Sequence, residues 1–282
     1  MYYLPGQQFS PSVWQPDGSD VGRVMVTLRS PDLIHWEECT ALGFIRGTAI
    51  GKPGNVSRDE EAHLASSIWN RGNVQIGVYG LWHGAEKWQE RGLDLGVMIG
   101  NDGLHFREPK RDYTLIPAGP EGTWDAGGLL QGQGFFNAGD ETRIYYGSWN
   151  LTKPSYPPRG GIGMVTLRRD GFGYLSQKNA GKGGKLETTE IRSANKNMSV
   201  SMNVENVSEN APLTVELLDN KAHPIPDYSG EQAGKVSADG VQQTVVWPAS
   251  NSSSISMPQP YSVRVTLPAN GDARVYAVYI AE

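Results

Sequence analysis

The sequence predicts an all-β protein, a partial β-propeller followed by a β-sandwich, on three observations. First, a seven-residue phrase occurs three times: Ser30-Pro-Asp32-Leu-Ile-His35-Trp36, Gly100-Asn-Asp102-Gly-Leu-His105-Phe106 and Arg168-Arg-Asp170-Gly-Phe-Gly-Tyr174. Asp is always third and an aromatic ring always seventh, with the Asp residues 70 and 68 positions apart. Second, each phrase follows a strand-like run: Gly22–Leu28, Leu93–Ile99 and Gly161–Leu167. A strand, an Asp-led turn and an aromatic opening the next strand make one hairpin per repeat. Third, the phrase does not recur beyond about residue 180, where short alternating strands take over.

The middle copy shows the unit. Glu61–Trp69 and Val74–Trp82 read as its first two strands, Leu93–Ile99 as the third, and Phe106 begins a fourth. The next copy repeats the order with Gly128–Phe136, Arg143–Trp149, Gly161–Leu167 and Tyr174. Three or four antiparallel strands per repeated unit describe a propeller blade. The first copy is incomplete: Met1-Tyr-Tyr-Leu aligns with a second strand, beside Ile144-Tyr-Tyr-Gly, so its first strand is expected upstream. A propeller ring has about 4 to 8 blades, and this chain supplies two and part of a third. A sequence truncated at its N-terminus is therefore expected; this chain alone gives no localisation, and a secreted or periplasmic parent is a separate expectation.

Residues 40–60, 83–92, 107–127 and 150–160 read as links, rich in Gly, Pro and polar residues. Residues 176–187, a run of Gly and Lys, read as a linker between a propeller domain at 1–180 and a β-sandwich at 181–282. Strands are expected in the second domain at Met198–Val204, Leu213–Leu218, Gln243–Trp247, Tyr261–Leu267 and Ala273–Tyr279, each alternating between a buried and a wet face.

The bulk properties exclude several functions. A net charge of −5, spread without a run, argues against a nucleic-acid partner. No segment reaches the ~18 apolar residues of a membrane span, and no signal peptide is visible. Cys39 is the only cysteine, so an intrachain disulfide or a cysteine metal cluster is impossible. No zinc-type spacing, P-loop or G-x-S-x-G element occurs, and neither metal nor cofactor is expected.

A propeller gathers functional groups at one end of its channel, on innermost strands and their leading loops. The middle unit opens with Asp59-Glu60-Glu61-Ala-His63. Strand alternation puts Glu61 and His63 on one face and Glu60 on the other. Crowded carboxylates raise one another's pKa, as a general acid requires; a solvated strand opening is the plain alternative. The next unit opens with Glu121-Gly-Thr-Trp124-Asp125. A carboxylate beside an indole suits a sugar, whose C–H face stacks on the ring while the acid accepts its hydroxyls; Asp125 as a turn cap is the alternative. Trp69, Trp82, His83 and Trp149, at strand ends, are candidates for the same mouth. His35, His105 and the three repeated Asp residues read as turn structure.

The phrase S-x-D-x-x-x-W, with an I-Y-Y or V-Y-G strand before it, resembles the five-bladed propeller glycoside hydrolases of families 32, 43 and 68. The run Gly161-Ile-Gly-Met-Val-Thr-Leu-Arg-Arg-Asp-Gly-Phe172 is similar to the "G-x-A-x-L-R-R-D-G-F" ending of a bacterial group labelled glycosyl hydrolase family 32-like. Glu121-Gly-Thr-Trp-Asp125, Val215-Glu-Leu-Leu-Asp219 and Val246-Trp247 match that group's propeller followed by a sandwich. The resemblance covers most of the chain and is specific at 93–175. It implies glycoside hydrolysis or transfer by two or three carboxylates around the channel. In families 32 and 43 these lie on the first three blades, and the W-x-N-D-P-type nucleophile motif has no counterpart here. Glu61 is the expected general acid, with Asp59 and Asp125 as base or tuning partner. Glu60, His63, Trp82, His83, Trp124 and Trp149 are expected to bind substrate. A non-catalytic carbohydrate-binding or interaction propeller is the alternative.

Overall fold

The computed structural model describes residues 2–9, 23–44, 62–84, 91–149, 160–179, 181–193, 197–248, 254–256 and 259–281. Among them the regular structure is twenty strands, β1 to β20, and two 3-10 turns, Pro226–Tyr228 and Gly230–Gln232. The chain forms two compact units, residues 1–136 with 143–165, and residues 137–142 with 166–282.

The first unit is built from sheets that follow the repeat. One has the order β1 (Tyr2–Phe9), β2 (Arg23–Ser30), β3 (Glu37–Phe44). The second runs β4 (Ala62–Asn70), β5 (Gln75–Gly84), β6 (Arg91–Gly100), β7 (Phe106–Arg107), with β8 (Thr114–Ile116) also on β6. The third has the order β11 (Gly161–Arg168), β10 (Glu141–Ser148), β9 (Leu129–Ala138). The pairings of β1 to β8 are antiparallel, and β5 and β6 stay in register over ten residues, from Gln75↔Gly100 to Gly84↔Arg91. Three expected links are partly strand: β3 continues through Phe44, β5 reaches Gly84 and β6 begins at Arg91 inside 83–92, and β8 lies inside 107–127. The physical reason in each is a neighbouring strand whose hydrogen bonds it completes: β2 for β3, β5 and β6 for one another, and β6 for β8.

Side chains join these sheets in chain order. Met25, Phe44, Tyr79, Leu81, Met98 and Phe106 form one buried cluster across the first two sheets. Phe44 and Tyr79 meet edge to face at 4.9 Å, and Thr27 Oγ1 donates to the Leu104 carbonyl at 3.2 Å. Between the second and third sheets Trp69 meets Phe135 at 5.2 Å, again edge to face, and Ser67 Oγ donates to the Gly132 carbonyl. Each such aromatic pair contributes about 0.5–1.5 kcal/mol beyond its buried area.

Two sheets make up most of the second unit. One has the order β12 (Leu175–Ser176), β20 (Arg274–Ala281), β14 (Asn197–Glu205), β17 (Gly240–Thr244), with β18 (Ser254–Ser256) on β14. The other has the order β13 (Gly184–Glu187), β19 (Ser262–Leu267), β15 (Leu213–Leu218), β16 (Gly234–Val236). Strict alternation sends Val200, Met202 and Val204 from one sheet, and Val215, Leu217, Val263 and Val265 from the other, into one core around Trp247 and Tyr261. Fully burying each aliphatic side chain contributes about 1.5–3 kcal/mol.

The third copy of the repeated phrase belongs to this second unit. Arg168 donates to Asn203 Oδ1 at 2.7 Å, Glu205 Oε1 at 2.9 Å and the Val204 carbonyl at 2.9 Å. Asp170 accepts from Tyr279 OH at 2.6 Å and from Asn137 Nδ2 at 3.1 Å. Its own N–H donates to Thr142 Oγ1 at 2.8 Å, and Thr142 donates onward to Asn137 Oδ1 at 2.6 Å. Beyond the turn, β12 pairs with β20, Leu175 opposite Val275. In the second sheet the corresponding strand, β7, pairs back onto β6.

Candidate functional site

The loop 117–128 leads into β9, and flanking strands hold it at both ends. Asp94, on β6, accepts the Ala118 N–H at 2.7 Å. Ser148, the last residue of β10, donates through Oγ to the Gly128 carbonyl at 3.0 Å, and the Trp149 N–H donates to the same oxygen at 3.3 Å. Within the loop, turns close by Thr123 N–H to the Pro120 carbonyl at 3.0 Å and Ala126 N–H to the Thr123 carbonyl at 3.4 Å. Trp124 and Asp125 therefore sit on a braced turn beside the end of β10.

Asp125 is the hub of the cluster. Its Oδ2 accepts from Tyr146 OH at 3.1 Å, and its Oδ1 lies 2.8 Å from Thr123 Oγ1, whose single proton is shared with the Pro120 carbonyl at 2.7 Å. Burial pushes the Tyr146 phenol above its ordinary value, and the hydrogen bond to Asp125 and that carboxylate's charge add to the shift. Tyr146 thus remains a protonated donor at neutral pH. The Trp124 ring stacks on Tyr146, centroids 5.9 Å apart and planes 17° apart. Trp124 is 37% exposed, so part of its surface is open to a ligand, while Tyr146 beneath is buried. An ionised carboxylate has about four acceptor sites. At most two are used internally, by Tyr146 and Thr123, leaving capacity for ligand hydroxyls beside an open aromatic surface.

The other expected site residues fall in four groups. Asp59, Glu60 and Glu61 lie outside the described residues. His63 is a strand residue of β4, paired with Gly80 of β5, and His83 is on β5, paired with Gly92 of β6. Trp82, expected at the mouth, is 1% exposed; its ring is packed inside the protein and presents no face to a ligand. Trp149 is open, at 56% exposure. Sequence reasoning missed Tyr146, Thr123, Ser148 and Asp94. The only signal for Tyr146 was its alternation with Ile144 and Ser148, which the structure shows to be the buried face of β10.

No protein-family model matches the sequence, and no curated protein matches it. Solved structures similar to the chain include glycoside hydrolases. A family 32 β-fructofuranosidase from Bombyx mori is 11% identical with a TM-score of 0.28, the match covering 92% of this chain and 60% of that one. A family 43 arabinoxylan arabinofuranohydrolase from Bacillus subtilis, in complex with cellotetraose, is 11% identical with a TM-score of 0.31, covering 99% and 64%. A family 32 structure from Bifidobacterium adolescentis is 10% identical with a TM-score of 0.24, covering 96% and 57%. This chain thus matches about three fifths of their length. Likeness at that level carries no argument about site or activity.

Proposed function

We propose that this chain is a carbohydrate-acting protein of the glycoside hydrolase type, and that the Trp124–Asp125–Tyr146 cluster holds a sugar. One observation carries the reading: a carboxylate that accepts the Tyr146 hydroxyl and is flanked by the Thr123 hydroxyl lies next to a partly exposed indole that is itself stacked on a buried ring. A pyranose or furanose ring stacks on the indole, and its hydroxyls donate to Asp125. The three sheets joined in chain order, the first two each carrying a copy of the phrase in a turn and the third followed by one, support propeller blades.

In the hydrolytic form of this reading Glu61 is the general acid, and Asp59 and Asp125 are base or tuning partner. A separation of about 5–5.5 Å between the two working carboxyls gives retention, and about 6.5–9.5 Å gives inversion. A second reading, a non-catalytic carbohydrate-binding protein, is favoured by Asp125 itself, whose carboxylate accepts the Tyr146 hydroxyl in the way a binding acceptor does. Turnover separates the two. The purified chain is assayed on aryl glycosides and on plant and algal oligosaccharides. Hydrolysis lost in Glu61→Gln supports the enzyme, and binding without hydrolysis supports the binding protein. Neither binding nor hydrolysis overturns both.

A further inference from the structure

The sugar-holding cluster has a floor, and the floor is made of two glycines. β11 opens Gly161-Ile-Gly163, and strand alternation places Gly161 and Gly163 on the same face. A methyl group at Gly161 would lie 2.6 Å from the Cε3 and Cζ3 atoms of Trp124. At Gly163 it would lie 2.2 Å from Cζ of Tyr146 and 2.5 Å from its Cε1. Real carbon atoms do not approach so closely, so each ring rests on bare backbone. The residues between and beyond them show the same alternation from the other side. Ile162 is 83% exposed and Met164 47% exposed.

We infer that Gly161 and Gly163 are positioning residues of this site, setting the depth of Trp124 and Tyr146 and, through the Tyr146 hydroxyl, the place of Asp125. The inference rests on the proposed sugar-holding role of the cluster. The two glycines act on different members. Alanine at 161 displaces the indole, which is free to move outward because it is partly exposed. Alanine at 163 displaces a buried phenol and breaks its 3.1 Å bond to Asp125. One substitution therefore removes the stacking surface and the other loosens the carboxylate.

Gly134 on β9 is the control: a methyl group there meets nothing within 4 Å. Gly161→Ala, Gly163→Ala and Gly134→Ala are compared with wild type in three measurements. The first is binding of cellotetraose, xylotetraose and nystose by titration calorimetry. The second is the emission of Trp124, taken as the difference between each protein and its Trp124→Phe counterpart. The third is spectrophotometric titration of Tyr146, identified by its loss in Tyr146→Phe. Expected are at least tenfold weaker binding in both site variants, a red-shifted Trp124 emission in Gly161→Ala, and a Tyr146 titration moved down towards the ordinary tyrosine value in Gly163→Ala. Gly134→Ala matches wild type. Gly161→Ala, whose strain is relieved at the surface, stays folded even if Gly163→Ala does not. Wild-type affinity together with unshifted emission and titration in the site variants overturns the inference. If wild type binds none of the sugars, the sugar-holding role fails, while the two spectroscopic measurements still show whether the glycines seat the rings.

Discussion

The turn at Asp32 and the turn at Asp102 are nearly superposable in their bonding, and the turn at Asp170 is not. In the first, Asp32 Oδ1 accepts the N–H groups of Ile34 at 2.9 Å and His35 at 2.8 Å, and Oδ2 meets His35 Nδ1 at 2.7 Å. In the second, Asp102 Oδ1 accepts from Leu104 and His105, both at 2.8 Å, and Oδ2 meets His105 Nδ1 at 2.7 Å. Both carboxylates are spent on closing their own turn. The third copy has Gly173 where the others have His, so Asp170 has no imidazole to hold. It binds Tyr279 and Asn137 instead, 109 and 33 residues away. One phrase is thus a self-contained hairpin lock twice and an anchor for distant strands once. The lesson is that a repeated residue keeps its backbone role only while its local partner is repeated with it.

The largest expected effect comes from breaking the anchor. The Asp170 side chain is only 8% exposed, and its removal in Asp170→Ala leaves the Tyr279 hydroxyl and Asn137 amide without their acceptor. A loss of about 3 kcal/mol is expected in urea unfolding, given ~1–3 kcal/mol per orphaned buried group. Asp32→Ala and Asp102→Ala, at exposed turns, should cost clearly less; equal losses at all three sites would contradict the contrast.

Next is alkaline pH. Burial, then the hydrogen bond to Asp170, push the Tyr279 phenol up to about 12. A group with its folded pKa raised contributes stability in full below its unfolded value, about 10, and loses it as pH rises towards 12. Thermal unfolding of the wild type should therefore fall in midpoint between pH 10 and 12, and Tyr279→Phe should flatten that fall.

A smaller effect sharpens the likeness of the first two turns. Leu33 has φ +66° and its counterpart Gly103 has φ +74°. The left-handed region costs an L-residue about 1–2 kcal/mol and glycine little. Leu33→Gly should stabilise the protein by about 1 kcal/mol in urea unfolding, net of the glycine's unfolded-state entropy.

Smallest is the acid response of the same turns. Hydrogen bonds from the His35 backbone and ring hold Asp32 well below the usual carboxylate range, and the His105 side chain lowers Asp102 to about 2. Depressed carboxylates contribute stability above about pH 4 that is lost as pH falls through the folded value. Denaturation midpoints should decline from pH 4 to 2, with a gentler slope in Asp102→Asn.

The hairpin turns were legible from sequence because their partners are local: Asp and His stand three positions apart in both copies. The anchor was not, since nothing near Asp170 names Tyr279; the missing His at 173 was the one visible sign. In the site, Trp124 and Asp125 were legible as neighbours in one loop. Trp82 was misplaced at the mouth because β5 is buried on both faces, with Val78, Tyr79, Leu81 and Trp82 all 1–2% exposed. Alternation says nothing about such a strand. Tyr146 escaped notice because Tyr145 and Tyr146 are adjacent and identical, and alternation with Ile144 and Ser148 marks its face but not its partner Asp125.

Calorimetric titration of cellotetraose, xylotetraose and nystose into wild type, Trp124→Ala and Asp125→Asn tests the proposed sugar-holding role of the Trp124–Asp125–Tyr146 cluster most directly. The account predicts measurable binding of at least one sugar by wild type. It also predicts at least tenfold weaker binding in each variant, equivalent to about 1.4 kcal/mol, with cooperative unfolding retained. Wild-type affinity in both variants, or no binding of any sugar by the wild type, would contradict it.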